Sequence, residues 1–229
     1  NEEVISVEKV IDILDSTLRD GAQGEGISFS VEDKLAIVQA LDVLGIPFVE
    51  AGNPGSNPKD LEFFQRASQI PLKHTKLVAF GSTCRKQTAP EEDKNLCPTL
   101  DENLRMIEDS CRFLTQKGKQ VLFDAEHFFD GYAANADYAM SALEAAVHGG
   151  AACLVLCDTN GGTFPDKIGK VTQEVGKRFP GVQVGIHTHN DRGMAVANSI
   201  AAVQAGATHV QGTYLGYGER CGNANLSTI

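Results

Sequence analysis

Short apolar segments alternate with helical segments along the whole chain, and this alternation restricts the fold more than any other feature. Each strand-plus-helix unit takes up about 30 residues, the length that a right-handed parallel β-α-β unit needs. The pattern therefore predicts a parallel sheet covered by helices. Seven strands are predicted: Val10–Asp15, Ile46–Gly52, Lys76–Gly81, Val121–Glu126, Cys153–Asp158, Val182–Ile186 and His209–Thr213.

The helices between these strands are located by their capping residues. Ser30 precedes a helix over Val31–Leu44, and Gly45 ends it. Pro58 opens the next helix, which is expected to run to about Ile70. The other helices are predicted from Thr99 to about Gly118, from Ala136 to Val147, from Pro165, and from about Met194 to Ala205.

Polar side chains follow nearly every predicted strand, which favours a (β/α)8 barrel over an open doubly wound sheet. Barrel enzymes place their chemistry at the carboxyl ends of the strands. An open sheet would have a glycine-rich phosphate loop after its first strand, and the sequence has no such loop there. The polar residues at the strand ends are Asp20, Glu50, Glu126, Asp158, His187 and His189.

The strand count falls one short of the eight that such a barrel contains. The polar stretch Thr83–Pro98, between Gly81 and Thr99, stands where a fourth strand belongs. The sequence also stops at Ile229, before an eighth helix. A barrel without one strand would expose two unpaired edges, so we expect a missing region rather than a defective barrel. Residues 1–229 are interpreted as one catalytic barrel domain without its C-terminal or regulatory part.

Composition restricts the kind of partner. The net charge of −10 argues against nucleic acid and against an anionic membrane as the main partner. No apolar stretch approaches the roughly 20 residues of a membrane span, and reduced thiols in the cytoplasm are expected. Cys153 and Cys157 lie about 13 Å apart on one strand and are predicted to be packing residues.

Two histidines close the apolar strand Val182–Ile186. His187 and His189 are two residues apart and therefore point to the same face of a strand. Paired imidazoles at the end of a buried strand are typical of a divalent metal site. The alternative is a pair of hydrogen-bonded histidines at the mouth of the strand.

Asp20 and Asn223 are the candidates to complete a metal site. In a closed barrel the first strand lies two positions from the histidine strand, which brings Asp20 to the two imidazoles. Asn223, in the last loop, offers a carbonyl oxygen at the same mouth. A mixed nitrogen and oxygen site suits Mn, Mg, Zn, Co or Fe(II). A turn or capping role is the alternative for either residue.

Three segments resemble the signature segments of the DRE-TIM metallolyases, in the same order along the chain. They are Thr17–Gln23, His187–Asp191 and Gly218–Asn223. Two further segments, Pro54–Asp60 and Phe123–Tyr132, look most like the citramalate synthase branch of this family. The resemblance implies that the metal ligands are Asp20, His187, His189 and Asn223.

The resemblance also implies the reaction, an acyl transfer in which acetyl-CoA condenses with a 2-oxo acid and the thioester is then hydrolysed. In the citramalate branch the acid is pyruvate, and the pathway is branched-chain amino-acid biosynthesis. Isopropylmalate or homocitrate synthesis and an acyl-CoA lyase are alternatives within the family. A homodimer is expected, since these synthases often complete their sites with a C-terminal segment of a partner chain.

Three residues are expected to carry the chemistry. Arg19 would stabilise the alkoxide, and Glu50 would hold Arg19 in a bidentate ion pair, as the resemblance implies. Glu126 would transfer the proton at the acetyl methyl group. A surface role for Arg19, and for Glu126 a role as hydrogen-bond partner of the metal histidines, are the alternatives.

Supporting roles are expected for four more side chains. Thr159 would donate its hydroxyl to the substrate carboxylate or cap a helix. Gln23 would contribute to substrate binding, and Gln23 and Asp158 are also candidates to support the metal ligands. Cys221 is interpreted as a bystander thiol. Two other classes of function stay open: a metal-binding barrel without catalysis, and an Fe(II) oxygenase with two histidines and one carboxylate.

Overall fold

The computed structural model describes residues 10–83 and 99–229. Seven strands form one sheet in which every neighbouring pair is parallel. The strands are β1 (Asp12–Asp15), β2 (Phe48–Glu50), β3 (Lys76–Val78), β4 (Leu122–Ala125), β5 (Cys153–Asp158), β6 (Gln183–Thr188) and β7 (His209–Gly212). Their order across the sheet is β3-β2-β1-β7-β6-β5-β4, so β6 lies two positions from β1, as predicted.

Seven α-helices connect or follow these strands within the described residues. Six were predicted, and the seventh, over Phe128–Ala134, falls between a predicted strand and a predicted helix, where no element was predicted. It is only seven residues long and includes Gly131, so it leaves little helical periodicity to detect. The helices are α1 (Val31–Leu44), α2 (Pro58–Ala67), α3 (Leu100–Gln116), α4 (Phe128–Ala134), α5 (Ala136–His148), α6 (Pro165–Arg178) and α7 (Ala195–Gln204).

The capping predictions are confirmed. The Ser30 side chain accepts a hydrogen bond from the backbone of Asp33, which completes a reciprocal capping box at α1. Gly45 ends α1 in the left-handed region at a φ of 85°. Asn57 and Thr99 cap α2 and α3 through their side chains. Most strands and α2 are shorter than predicted. The predictions followed the apolar sequence, which continues beyond the residues that pair in the sheet or form the helix.

Side chains of β5 alternate between the helices and the inside of the curved sheet. Leu154 and Leu156 join the main hydrophobic core under the helices, whereas Cys153, Val155 and Cys157 form a separate cluster on the inner face. Both cysteines are buried free thiols, which confirms their packing role. This alternation decides which polar residue at the end of a strand faces the mouth.

The sheet has the form of a barrel with one strand position open in the described residues. Strands β3 and β4 are its two outer strands, which is where the fourth strand of a complete barrel would lie. The predicted gap covers Thr83–Pro98, of which residues 84–98 fall outside the described residues. Residues 213–229 include a 3-10 turn at Tyr214–Gly216 and no α-helix, as expected.

His209 on β7 is fully buried, and neither ring nitrogen has a hydrogen-bond partner in the part of the chain that the structure describes. Burial lowers its pKa from the usual 6.5 to about 4. The unfolded chain therefore binds this proton near pH 6.5, whereas the folded chain binds it only near pH 4. The free energy of unfolding must fall as the pH falls through that window.

We expect His209 to account for a loss of about 3 kcal/mol of stability between pH 6.5 and pH 4. His209→Leu keeps an apolar side chain against Phe48, does not titrate, and should remove this part of the pH dependence. His148→Leu, at the exposed end of α5, is the control and should leave it in place. Urea unfolding at neutral pH and near pH 4 measures the difference. An equally steep loss in His209→Leu would contradict this explanation.

Candidate metal centre

Three ligand-type side chains meet at the carboxyl end of the sheet. Asp20 follows β1 and immediately precedes a 3-10 turn at Gly21–Gln23, and both histidines lie at the end of β6. Asp20 Oδ2 lies 3.2 Å from His187 Nε2 and 3.9 Å from His189 Nε2. The two Nε2 atoms are 3.4 Å apart. All three side chains are buried, so water does not separate them from one another.

This spacing fits a single cation. A point equidistant from three atoms at these separations lies about 2 Å from each, which is the length of bonds from nitrogen or carboxylate oxygen to zinc. Asp20 Oδ2 and Asn223 Oδ1 are buried and have no hydrogen-bond partner in the described part of the chain. Buried oxygens without a partner are costly unless something else binds them. A metal ion would satisfy both.

Asn223 is held with its amide oxygen available. Its Nδ2 donates to the Tyr217 carbonyl at 3.1 Å, and its backbone pairs with His189 in an antiparallel bridge. The loop therefore places Asn223 next to one of the two imidazoles. Asn223 as the fourth ligand stays a prediction, supported by its unpartnered oxygen.

The charges at this site attract one another strongly. Burial alone would raise the pKa of Asp20, but the close contact with His187 and the charges of His187 and Arg19 outweigh burial and lower it. Burial alone would lower the pKa of His187, but Asp20 raises it to about 9. Burial, and then the charge of His187, lower the pKa of His189. A proton on His187 thus takes the place of a cation's charge, and metal binding would release it.

Arg19 lies next to Asp20 and is fixed on three sides. Its Nε donates to Glu50 Oε2 at 2.8 Å, its NH1 lies 3.7 Å from Asp20 Oδ1, and its guanidinium lies 4.4 Å from the centre of the Phe80 ring. The expected bidentate pair with Glu50 is a single hydrogen bond, because Oε2 also accepts from the Ser16 hydroxyl at 2.5 Å. Arg19 also lines the cavity at the mouth.

Glu126 lies at the exposed rim, and Thr159 holds it. The Thr159 hydroxyl donates to Glu126 Oε2 at 2.7 Å and accepts from the His127 backbone at 2.8 Å. The predicted contact of Thr159 with a substrate carboxylate would require this hydroxyl to leave Glu126. The capping alternative for Thr159 is wrong, because α6 begins only at Pro165.

Asp158 does not support the metal ligands through its side chain. It accepts from Thr163 Oγ1 at 2.8 Å and from Asn198 Nδ2 at 3.4 Å. The reason is the alternation along β5: Cys157 faces the cavity, so Asp158 faces the helices. Gln23, by contrast, is exposed and lines the cavity, as expected of a substrate-binding side chain.

A cavity of about 530 Å³ joins these side chains at the mouth. Its lining includes Arg19, Asp20, Gln23, Glu126, His187 and His189. Three of the predicted site residues are not part of this lining, and each contacts a residue that is. Glu50 contacts Arg19, Thr159 contacts Glu126, and Asn223 pairs through its backbone with His189. Sequence reasoning missed Asp124, which lines the cavity, and Gln211 behind His187. Asp124 lies two residues before Glu126, so the alternation of side chains along a strand predicts that both point to the same face. The sequence could have indicated Asp124 in this way.

Arg220 joins the loop of Asn223 to the ends of β5 and β6. Its guanidinium pairs with Asp191 through two bonds, at 2.8 and 3.1 Å, and donates to the Thr159 carbonyl at 2.7 Å. Its φ of 54° is left-handed, a conformation that non-glycine residues adopt at a cost of about 1–2 kcal/mol. At Gly161 a Cβ atom would lie 2.7 Å from Asp191, so only glycine permits this packing.

We expect Arg220→Ala to weaken cation binding about tenfold, because the loop that carries Asn223 would lose its attachment to Asp191. Arg192→Ala is the matched control, since Arg192 is an exposed arginine that stacks on Phe164. Competition with a chelator measures both affinities. Equal affinities in the two variants would show that the attachment does not position the loop.

Comparison with known proteins identifies the family. The HMGL-like family model matches residues 10–91 and 87–229, which together cover nearly the whole chain. The chain belongs to the HMGL-like family. This confirms the predicted membership of the DRE-TIM metallolyases, and the possible metal site of Asp20, His187 and His189 agrees with a metal-dependent family.

Among curated proteins, two (R)-citramalate synthases are similar to this HMGL-like chain. Those of Synechocystis sp. and Aquifex aeolicus are each 49% identical to it, over 251 and 243 residues, and in both cases 95% of this chain is covered. A 2-isopropylmalate synthase of Vibrio parahaemolyticus is more distant, at 34% identity over 243 residues. The chain spans about 46% of the length of each of these relatives.

Solved structures of HMG-CoA lyases share the fold. The Pseudomonas aeruginosa lyase superposes with a TM-score of 0.78 at 18% identity, covering 96% of this chain and 83% of that one. The Bacillus subtilis lyase gives 0.76 at 22% identity, covering 96% and 84%. The barrel prediction is thereby confirmed. No described helix of this HMGL-like chain is both long enough and apolar enough to cross a membrane.

Proposed function

We propose that this chain is the catalytic barrel of an acyltransferase that condenses acetyl-CoA with a 2-oxo acid, pyruvate, to form citramalate. The observation that carries the proposal is the cluster of Asp20, His187 and His189 beside Arg19 in one cavity. Similarity to curated (R)-citramalate synthases at up to 49% identity supports pyruvate over a larger acid. The pathway would be branched-chain amino-acid biosynthesis.

A divalent cation, Mn, Mg, Zn or Co, would be held by Asp20, His187, His189 and Asn223. When bound, it supplies a Lewis acid that polarises the keto group of the 2-oxo acid. The donors suit such an ion, because two imidazoles and the Asp20 carboxylate converge, and Asp20 Oδ2 and Asn223 Oδ1 otherwise lack a hydrogen-bond partner in the described residues.

Arg19 would stabilise the charge that develops during bond formation. Its Nε is engaged by Glu50 and its ring contact with Phe80 limits its rotation, so the terminal nitrogens are already oriented before substrate binds. Oriented donors stabilise an alkoxide without reorganising during the reaction. Arg19 would bind the keto oxygen in this way.

Glu126 would remove a proton from the methyl carbon of acetyl-CoA. The electron pair left on that carbon forms the new bond to the keto carbon, and the carbonyl pair moves to oxygen beside Arg19. Return of one proton to this alkoxide gives the hydroxyl of the product and balances the proton taken by Glu126. Thr159 would orient Glu126 through its 2.7 Å hydrogen bond. Attack of water on the thioester then releases the CoA thiol and the free acid. Gln23 would contact the bound substrates from the cavity wall.

Thiol release from acetyl-CoA tests the proposal, with pyruvate, 2-oxoisovalerate and 2-oxoglutarate as separate substrates. Pyruvate should give the highest rate, and calorimetric titration of the metal-loaded chain should give it the highest affinity. Preference for 2-oxoisovalerate or 2-oxoglutarate would favour isopropylmalate or homocitrate synthesis. A chain that binds metal and releases no thiol with any acid would instead be a metal-binding barrel.

The assembly and location of the protein stay predictions. A homodimer stays the expectation that the family resemblance implies, and sedimentation of the purified protein measures the subunit number. The cytoplasm is expected because Cys111, Cys153, Cys157 and Cys221 are free thiols, which suit a reducing compartment.

A further inference from the structure

A short hydrogen-bond chain runs behind His187, across the inside of the sheet. Gln211 on β7 lies opposite His187 in the strand register, and its Oε1 is 2.9 Å from His187 Nδ1. Gln211 Nε2 donates at 2.9 Å to Asp124 Oδ1 on β4. Strands β4 and β7 are not neighbours, so the curvature of the sheet brings these side chains together.

The chemistry of the groups sets the direction of this chain. A carboxylate accepts hydrogen bonds and donates none, so Asp124 requires the NH₂ end of the Gln211 amide. The oxygen of that amide must then face His187. An amide oxygen also only accepts, so His187 Nδ1 must carry its proton. A reversed amide would place two acceptors in contact at Asp124 and leave no acceptor for that proton.

The consequence falls on the other nitrogen of the same ring. With Nδ1 occupied as a donor, Nε2 is the atom that can present a lone pair, and it is Nε2 that lies 3.2 Å from Asp20 Oδ2. His189 differs, because its Nδ1 is buried with no hydrogen-bond partner in residues 10–83 and 99–229. His187 is therefore the imidazole whose orientation is determined by its surroundings.

We propose that Asp124 and Gln211 are positioning residues of the cation site, which hold His187 with its Nε2 lone pair directed at the bound ion. This inference rests on the proposed metal site and adds to it two residues on β4 and β7. Carboxylate or carbonyl partners behind a ligating histidine fix its tautomer and its orientation in this way. The competing explanation is that Asp124 and Gln211 only fill space inside the barrel.

Zinc affinity of the purified chain, measured by competition with a chromophoric chelator, tests the inference. Asp124→Ala and Gln211→Leu should each weaken binding by about 10–100-fold. Because both residues act through one chain, the double variant should bind no more weakly than the weaker single variant. Asp158→Ala is the control. It also removes a carboxylate at the end of a strand, and this carboxylate is buried, but it faces Thr163 and Asn198 instead of the histidines.

An exchange of the two groups separates positioning from packing. In the double variant Asp124→Asn with Gln211→Glu, the glutamate offers His187 Nδ1 an acceptor and the asparagine can donate to its other oxygen. The total charge is unchanged, and zinc affinity should return to within about threefold of the parent chain. An exchange variant no better than the single variants, with unchanged melting temperature, would overturn the inference.

The outcomes distinguish this inference from the proposed function. A parent chain that binds zinc, together with Asp124→Ala and Gln211→Leu chains that fold and bind it equally tightly, would overturn the positioning role alone. A parent chain that binds no zinc would overturn both. Circular dichroism and melting curves identify variants that do not fold, and in that event the exchange variant decides.

Discussion

Replacing Asp20 by alanine is expected to weaken binding of a divalent cation by more than about 100-fold, since even partners behind a ligand contribute 10–100-fold. Asp20 supplies the carboxylate oxygen closest to both imidazoles, at 3.2 and 3.9 Å. It also raises the pKa of His187 more than any other side chain does. Its loss therefore removes both a ligand and the charge that neutralises the ion.

Asp15→Ala is the matched control for Asp20→Ala. Asp15 is a buried carboxylate on the same segment, and it accepts a hydrogen bond from the backbone of Thr17 instead of facing the histidines. The control should lose stability and keep its cation affinity. Calorimetric titration with Zn²⁺ and with Mn²⁺ measures both variants. Equal affinities in the two would remove Asp20 from the site.

Replacing Glu126 by glutamine is expected to lower the rate of thiol release by about 10²–10⁴-fold, the usual contribution of a positioned general base. Glutamine keeps the shape of the side chain and can still accept from Thr159, so the loop should keep its structure. Cation affinity should stay the same, because Glu126 lies at the rim and is absent from the cluster of Asp20, His187 and His189.

Asp130→Asn is the control for Glu126→Gln. Asp130 is an exposed carboxylate nearby, on α4, and accepts from the Asn160 side chain at 2.8 Å. Its replacement should leave the rate of thiol release almost unchanged. If Glu126→Gln keeps the parent rate as well, proton transfer must be assigned to another group. If the Glu126→Gln chain loses bound metal instead, Glu126 would act as a hydrogen-bond partner of the metal histidines.

Much of the fold could be predicted because local sequence determines where its elements begin and end. Ser30 and Thr99 cap helices, and Pro58 opens one, where the sequence predicts. The parallel order also follows from the alternation of strands and helices. Helix α4 was missed, because seven residues give too little periodicity to be distinguished from a loop.

The cation site was predictable to the extent that it depends on strand ends. Asp20, His187 and His189 all follow or end strands, and a barrel brings those ends to one mouth. Asp124 and Gln211 could not be paired in this way, since they meet across the inside of the sheet and are 87 positions apart. Their contact depends on curvature, which the pattern of strands does not specify.

Orientation was the other limit of the sequence. Asp158 ends β5, and Asp20 and Glu126 follow β1 and β4, yet Asp158 alone of the three faces the helices, because its neighbour Cys157 faces the cavity. The Thr159 hydroxyl donates to Glu126, and its predicted contact with substrate stays a prediction. Which of two adjacent polar residues points inward depends on the register of the strand, and a shift of one residue reverses it.

The most direct measurement is the anomalous scattering of a crystal of this protein soaked with Mn²⁺ or Zn²⁺. We expect one strong peak about 2.0–2.2 Å from Asp20 Oδ2, from the Nε2 atoms of His187 and His189, and from Asn223 Oδ1. A peak elsewhere, or none between these side chains at saturating metal, would contradict the claim that these four residues hold one cation.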